Sequence, residues 1–160
     1  MKFVTLAFLV AFLSGPVLAT EAATAPAPDV RAVTPSGLEL LDAADVSLSE
    51  FVWVKRVVAV FADTPNDPQF QQQIRMLEGA NAGLLDRDVV VVVDTDPAAR
   101  SEVRQQLRPR GFSLVLLDKD GAVKQRKPNP WTAREIFHAI DRLPLRREEM
   151  LQQRPGRVTN

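Results

Sequence analysis

Two uninterrupted apolar runs dominate the pattern of hydrophobic and polar positions along the chain. Residues 57–62 and residues 89–93 each have the length of a strand, and neither run alternates apolar with polar side chains. Continuous runs of this kind are typical of parallel strands that are buried on both faces of a sheet. The segment between them is long enough for a helical crossover. The pattern therefore predicts two adjacent, parallel strands at the centre of a sheet.

The segment between these runs predicts an amphipathic helix. Asp67 is a good N-cap, and Pro68 suits the first helical position. Residues 71–73, all glutamine, are expected mostly on faces other than the core face. The apolar stripe of this helix recurs at helical spacing and consists of Phe70, Ile74 and Leu77.

Similar signals continue after the second run. Asp96 and Pro97 predict a helix that extends to residue 107. Ser113–Leu117 is a third apolar run, and a hairpin turn signal follows it. The next strand, Val123–Lys127, carries basic side chains that are typical of an edge strand.

The C-terminal part predicts helices. Thr132 and Glu135 form a capping box, and Pro144 interrupts the helix before a last helical segment at residues 145–152. The complete order is β-α-β-α-β-β-α, which is the core order of the thioredoxin fold. We therefore predict an α/β, thioredoxin-like domain over residues 47–152, with a four-stranded mixed sheet and flanking helices.

The N-terminus has the pattern of a signal peptide. Lys2 supplies a positive charge, and residues 3–13 form an apolar run too short for an uncleaved anchor, which needs about 20 apolar residues. We predict that residues 1–19 are removed by cleavage between Ala19 and Thr20, so that the protein is periplasmic or secreted. Residues 20–46 are predicted to be a flexible lead-in, and residues 153–160 a frayed tail.

Composition excludes several classes of function. The chain carries 20 basic and 20 acidic residues, so no strong positive field favours nucleic acid or, after signal cleavage, a membrane surface. It contains no cysteine and one histidine, His138. Thiol–disulfide oxidoreductase activity, iron–sulfur clusters and most zinc sites are therefore excluded. We predict no metal and no cofactor.

A set of residues along the predicted domain resembles one family. These residues are Trp53 and Arg56 before the first central strand, Arg87 and Asp88 before the second, Asp120 and Gly121 in the hairpin turn, and Asp141, Pro144, Arg146, Glu149 and Met150 near the C-terminal end. On this set, the stretch from Leu48 to Met150 is similar to the secreted, thioredoxin-like domain of unknown function DUF4174. The resemblance implies a fold, an exported location and relatives among animal extracellular-matrix and sushi-repeat proteins. It implies no reaction.

Three carboxylates, Asp63, Asp94 and Asp96, are expected at the carboxyl ends of the parallel strands, where open α/β sheets bind ligands. A calcium site and a paired-carboxylate acid/base site are two interpretations. Asp96 as a helix cap and Asp94 in a strand turn are favoured over a calcium site, because calcium takes about 6–8 oxygen ligands and only three carboxylates are expected at this edge. The acid/base site, formed by Asp63 and Asp94, is disfavoured because a domain this small shows no second lobe to make a cleft. His138 is predicted to face solvent. Trp53 and Trp131 are predicted to pack helix ends onto the sheet rather than to anchor a partner.

We predict that the same edge binds a protein or peptide in the periplasm or outside the cell. The residues of this candidate edge are Asp63, Thr64, Asn66, Phe112 and Ser113. Phe112 is either an apolar contact for the partner or a core side chain folded onto the first helix. The favoured function is a non-redox, non-catalytic binding or accessory module. The alternatives are an enzyme with thiol-free chemistry and a structural component of the cell envelope.

Overall fold

The computed structural model describes residues 31–33 and 38–153. Strands within these residues are β1 (Arg31–Val33), β2 (Glu39–Asp42), β3 (Arg56–Phe61), β4 (Val89–Asp94), β5 (Ser113–Leu117) and β6 (Val123–Lys127). They form one six-stranded mixed sheet in the order β1-β2-β4-β3-β5-β6. The predicted signal peptide and its cleavage site between Ala19 and Thr20 lie outside the described residues.

Helices cover both faces of the sheet. The α-helices are α1 (Pro68–Glu78), α2 (Asn81–Leu85), α3 (Glu102–Leu107), α4 (Ala133–Asp141) and α5 (Pro144–Gln152), and the 3₁₀ helices are η1 (Leu48–Phe51) and η2 (Pro97–Ala99). None of the helices in the described ranges has both the length and the apolar character needed to cross a bilayer.

The two central strands match their prediction. β3 and β4 are parallel neighbours, with Val58 beside Val91 and Val60 beside Val93. β5 pairs with β3 in antiparallel fashion, and β6 pairs with β5, which is the predicted hairpin. The alternate residues of these strands bury two apolar clusters. One cluster packs against Leu77, Leu84 and Ile136 of α1, α2 and α4, and the other packs against Leu48, Val103 and Leu107 of η1 and α3.

The predictions of a four-stranded sheet and of a flexible lead-in over residues 20–46 are wrong on the N-terminal side, because two further strands form there. β1 and β2 lie inside the segment 20–46, and β2 runs parallel to β4 with Leu41 beside Val92. Leu38 and Leu41 are both buried, which explains why β2 is ordered on the sheet. A strand of four residues that follows a proline-rich stretch carries too little periodicity to be recognised from sequence alone.

The helix predicted from Asp96 to residue 107 is broken in two. Arg100 adopts a left-handed backbone with φ of 49°, and Ser101 becomes the N-cap of α3 by accepting a hydrogen bond from the Arg104 N–H. The hydroxyl of Ser101 also donates to Asp94 at 2.7 Å. The break brings this hydroxyl to the end of β4, where it satisfies a buried carboxylate.

Gln73 differs from its predicted exposed position, because it is fully buried. Its side-chain amide donates to the Trp131 carbonyl at 3.0 Å and accepts from the Trp131 N–H at 2.7 Å. Two partly buried backbone groups just before α4 are thereby satisfied by α1. The capping box of Thr132 and Glu135 then opens α4 as predicted.

Candidate functional site

The two segments predicted to form a partner edge lie together. Phe61, the last residue of β3, pairs with Ser113, the first residue of β5. A Cβ atom added to Gly111 would lie 4.0 Å from the Asp63 carboxylate. Asp63, Thr64 and Asn66 are exposed. We call this end of the sheet, where β3 and β4 end, the carboxyl edge.

Phe112 is a core residue rather than an exposed contact. Only 6% of it is exposed, and it belongs to the apolar cluster that includes Leu77 of α1. The structure thus decides between the two interpretations of Phe112 in favour of packing. Ser113 is also buried, so the accessible part of the predicted edge is the turn from Asp63 to Asn66.

A cavity of about 490 Å³ opens at the carboxyl edge, on the side of Phe112 and Ser113. We call it the arginine cavity, and its lining residues are Leu107, Arg108, Arg110, Phe112, Ser113, Arg126 and Pro128. Its three arginines are exposed, and within the described part of the chain none of their guanidinium groups has a hydrogen bond or an ion pair. Three positive charges therefore surround an apolar floor.

The end of α3 positions two of these arginines. Arg108 adopts a left-handed backbone with φ of 48°, and its N–H donates to the Arg104 carbonyl at 2.8 Å. Gly111 has φ of 55°, so the loop turns sharply again before β5. Arg126 reaches the same cavity from β6, where it pairs with Val115. Arg126 is distant in sequence from Arg108 and Arg110, and no sequence motif marked the three as a group.

The carboxylates at this edge do not converge on a metal site. Asp94 accepts hydrogen bonds from Arg104 at 2.7 Å and from Ser101 at 2.7 Å. Burial alone would raise the pKa of Asp94, but these hydrogen bonds and the charge of Arg104 outweigh it and lower the pKa. Asp96 caps η2 through the Ala98 N–H. In the ranges that the structure describes, no three histidine, aspartate or glutamate residues are grouped in a way that could hold a metal ion.

Most of the residues that carry the family resemblance meet at the opposite end of the sheet, where β3 and β4 begin. We call this end the amino edge. Arg56 is fully buried there, and its Nε donates to Asp118 at 2.9 Å. Its two terminal nitrogens donate to the Glu149 carboxylate at 3.1 Å each, and one of them also donates to the Arg87 carbonyl.

Further ion pairs surround Arg56. They join Arg87 to Asp141 at 2.8 Å, Arg146 to Asp86 at 3.0 Å, and Lys119 to Asp88 at 2.8 Å and to Glu149 at 2.9 Å. Burial alone would raise the pKa of Glu149, but the hydrogen bonds and charges of Arg56 and Lys119 outweigh it and lower the pKa. Burial alone would lower the pKa of Lys119, but Asp88 and Glu149 outweigh it and raise the pKa. This network fastens α5 and the end of α4 to the sheet.

The remaining family-like residues shape turns and helix ends. Pro144 is the first residue of α5, and Gly121 occupies a left-handed position in the hairpin, with φ of 75°. Asp120 accepts from the Ala122 N–H at 2.9 Å and pairs with Lys124 at 2.7 Å. Met150 is partly buried in α5. The resemblance identified much of this network, but it did not identify Asp86, Asp118 and Lys119.

The two tryptophans, Trp53 and Trp131, differ in how far their side chains are buried. Trp53 is 69% exposed and has a left-handed backbone with φ of 64°, so the prediction that it packs a helix end onto the sheet is wrong. Trp131 does pack against the core cluster, and the Lys127 ammonium lies 4.7 Å from the centre of its ring. His138 is exposed, as predicted.

Comparison with protein families matches residues 47–149 to the model described as "Domain of unknown function (DUF4174)", which confirms the resemblance noted from the sequence. Among curated proteins, the chain is 30% identical over 127 residues to the Sushi repeat-containing protein SRPX2 of Bos taurus, covering 69% of this chain and 27% of that protein. It is 30% identical to the Coiled-coil domain-containing protein 80 of Danio rerio, covering 68% of this chain and 16% of that protein. The chain therefore spans only about a quarter or less of the length of these relatives.

Among solved structures, the reduced 2-Cys peroxiredoxin of Plasmodium vivax aligns with a TM-score of 0.51 at 18% identity, covering 66% of this chain and 85% of that one. A likeness at this identity concerns the fold alone. It confirms the predicted α/β, thioredoxin-like class, with a sheet of six strands rather than four.

Proposed function

The chain belongs to the DUF4174 family, and we propose that it is an exported, non-redox binding module that takes up an acidic segment of a protein partner in the arginine cavity. One observation carries this proposal. Three arginine side chains without an ionic partner in the described residues surround an apolar floor. They do so at the edge of the sheet where open α/β folds favour ligands.

The charges of Arg108, Arg110 and Arg126 support an anionic ligand. Like charges held around one cavity repel each other, and a bound carboxylate would relieve that repulsion. Arginine also matches a carboxylate with two parallel hydrogen bonds, which adds geometric specificity to the attraction. Among the residues that the structure describes, the guanidinium groups of the amino edge are already paired with aspartate and glutamate, so this edge is less suited to an acidic ligand.

The floor of the cavity supports a protein segment over a purely ionic ligand. Pro128 supplies exposed apolar surface between the arginines, and the largely buried Leu107 and Phe112 add small edges to the same floor. A volume of about 490 Å³ lies within the range of about 300–1,000 Å³ that is typical of ligand cavities. Such a floor suits an aliphatic or aromatic side chain flanked by acidic residues, whereas a simple anion would leave it uncovered.

The carboxylates at the carboxyl edge support binding rather than catalysis. Asp94 is held by Arg104 and Ser101, and Asp96 is held as a helix cap. Asp63 is the exposed member of the three. An acid and a base directed at one reacting group are therefore not assembled from these three residues.

The sequence of the N-terminus supports export before binding. The proposal places the mature protein in the periplasm or outside the cell, beginning at Thr20. N-terminal sequencing of protein from a culture that expresses the full chain tests this part. Recovery of a membrane-bound form that retains Met1 would contradict it.

Binding of defined peptides tests the ligand. We expect a fluorescent peptide of aspartate and valine to bind with an affinity that falls as salt rises, and its asparagine–valine counterpart not to bind. The triple variant Arg108→Gln, Arg110→Gln, Arg126→Gln should lose binding. The control Arg75→Gln, Arg134→Gln, Arg147→Gln makes the same change in net charge at exposed positions outside the cavity and should retain it. Equal losses in the two triple variants would overturn the proposal.

A further inference from the structure

β6 is the outermost strand on its side of the sheet. It pairs with β5, and no other strand in the described part of the chain pairs with its outer edge. The backbone N–H and C=O groups along such an edge are available to an additional strand. An extended peptide binds in this way when its own backbone pairs with the edge and its alternate side chains contact the two faces.

The side chains of β6 alternate between two basic cavities. Arg126 lines the arginine cavity on the face of α3. Gln125 and Lys127 line a second cavity of about 490 Å³ on the opposite face, together with His138 and Arg142 of the α4 region. We call this second cavity the α4 cavity. The end of β6 therefore has cationic side chains on both faces of the sheet.

The positive charge is concentrated at the end of β6 rather than at its start. Lys124 is neutralised by Asp120 at 2.7 Å. Lys127 contacts the ring of Trp131 and has no salt bridge among the described residues. After the hydrogen bonds of Thr132, the charge of Lys127 makes a small further contribution to lowering the pKa of Glu135. The acidic residue that lines the α4 cavity, Glu135, is engaged by the hydroxyl and the N–H of Thr132 at 2.6 and 2.9 Å.

These charges select between two possible occupants of the edge. A second copy of β6 would bring the basic side chains of two such strands close together, and like charges on paired strands are destabilising. An acidic strand would instead direct carboxylates to the arginines on one face and to Lys127 and Arg142 on the other. The basic edge thus disfavours self-association and favours an acidic partner.

We propose that the acidic segment binds as a seventh strand along the outer edge of β6, with its alternate side chains in the arginine cavity and in the α4 cavity. This inference rests on the proposed function, because it specifies how the acidic segment docks. It adds a second set of contacts, Lys127 and Arg142, which the arginine cavity alone does not require.

A backbone-methylated peptide series tests the mode of docking. The probe is a blocked synthetic peptide with the repeating pattern valine-aspartate-aspartate, which directs acidic side chains to both faces. Methylation of single backbone nitrogens should abolish binding at every second position and be tolerated at the positions between, because alternate N–H groups of an added strand point to β6 and to solvent. Uniform tolerance or uniform loss along the peptide would overturn strand addition.

Charge-reversal variants test the two faces. We expect Arg126→Glu and Lys127→Glu each to weaken binding of the unmethylated probe by about tenfold or more, and the exposed control Arg75→Glu to change it little.

Dependence on Arg126 without dependence on Lys127 would overturn the seventh strand while the proposed function stands. Failure of the wild-type protein to bind any acidic probe would overturn the proposed function itself. A wild-type dimer that strengthens as salt rises, as the pairing of two basic strands would, would show that a second copy occupies the edge, and would also overturn this inference.

Discussion

The guanidinium group of Arg56 holds the carboxylate of Glu149 through two hydrogen bonds of 3.1 Å, although the two residues are 93 positions apart in sequence. Arg56 lies at the start of β3 and is fully buried, whereas Glu149 belongs to α5 and its side chain is 22% exposed. The pair fastens the C-terminal helix to the amino edge of the sheet. Since the functional site is proposed at the opposite edge, this network is assigned to stability.

Removal of the Glu149 charge should therefore destabilise the fold. In Glu149→Gln, the buried Arg56 keeps Asp118 but loses its second carboxylate, and we expect the free energy of unfolding to fall by about 2–3 kcal/mol, near the lower end of what breaking a buried pair costs. Urea denaturation measures the change. Glu148→Gln is the matched control. Glu148 is the exposed neighbour of Glu149, and its substitution should change the free energy of unfolding by less than about 0.5 kcal/mol. Equal effects of the two substitutions would contradict the assignment.

The lowered pKa values of Asp94 and Glu149 predict a loss of stability in acid. A carboxylate whose folded pKa lies below its unfolded pKa stabilises the fold fully above the unfolded value of about 4, and this contribution is lost as the pH falls through the folded pKa. Lys119 acts in the opposite direction, because its raised pKa contributes stability that is lost only in strong alkali. Urea midpoints measured from pH 7 to pH 2 should stay level and then fall below about pH 4. In the Asp94→Asn variant, the urea midpoint should fall less steeply below about pH 4. The same fall as in the wild-type protein would exclude Asp94 as a source of the acid sensitivity.

The sequence predicted the central part of the fold because its signals there agree with each other. β5 and β6 have the predicted bounds, and β3 and β4 differ from their predicted bounds by one residue at the ends. The N-terminal strands were missed because four residues beside a proline-rich stretch show no usable period. The break at Arg100 was missed because Ser101 is drawn toward Asp94 by a tertiary hydrogen bond, which no local pattern reveals.

The candidate site was only partly predictable. The carboxyl edge followed from the strand order, but the arginine cavity did not, because Arg108 and Arg126 come together only through the cap of α3 and the pairing of β6. For the amino-edge network, the residues were predicted but their contacts were not. The family resemblance named Arg56 and Glu149, and the sequence contained no signal that they touch.

Gly83 should not tolerate a side chain. A Cβ atom at this position of α2 would lie 2.4 Å from the Phe137 ring, and that ring is in turn stacked by the Arg87 guanidinium at 4.4 Å. We expect Gly83→Ala to lower the free energy of unfolding by about 1–2 kcal/mol, since overpacking outweighs the better helix propensity of alanine. Gly79→Ala is the control: its Cβ would meet the Arg75 carbonyl at an ordinary 3.6 Å, and its φ is −66°. Urea denaturation should show loss for the first variant and none for the second, and equal stability would mean that α2 and α4 are less tightly packed than described.

Trp53 should contribute little to folding, in contrast to Trp131. Its side chain is 69% exposed, and its φ of 64° places a bulky residue in the left-handed region, at a cost of about 1 kcal/mol. Asparagine adopts that backbone more readily, so Trp53→Asn should leave the free energy of unfolding unchanged to within about 0.5 kcal/mol, or raise it, because relief of strain offsets the small loss of contact. Trp131→Asn is the matched control and should be clearly less stable, because Trp131 packs against the core cluster and under Lys127. Thermal and urea denaturation of both variants measure the difference. A destabilisation of Trp53→Asn as large as that of Trp131→Asn would show that Trp53 packs in solution.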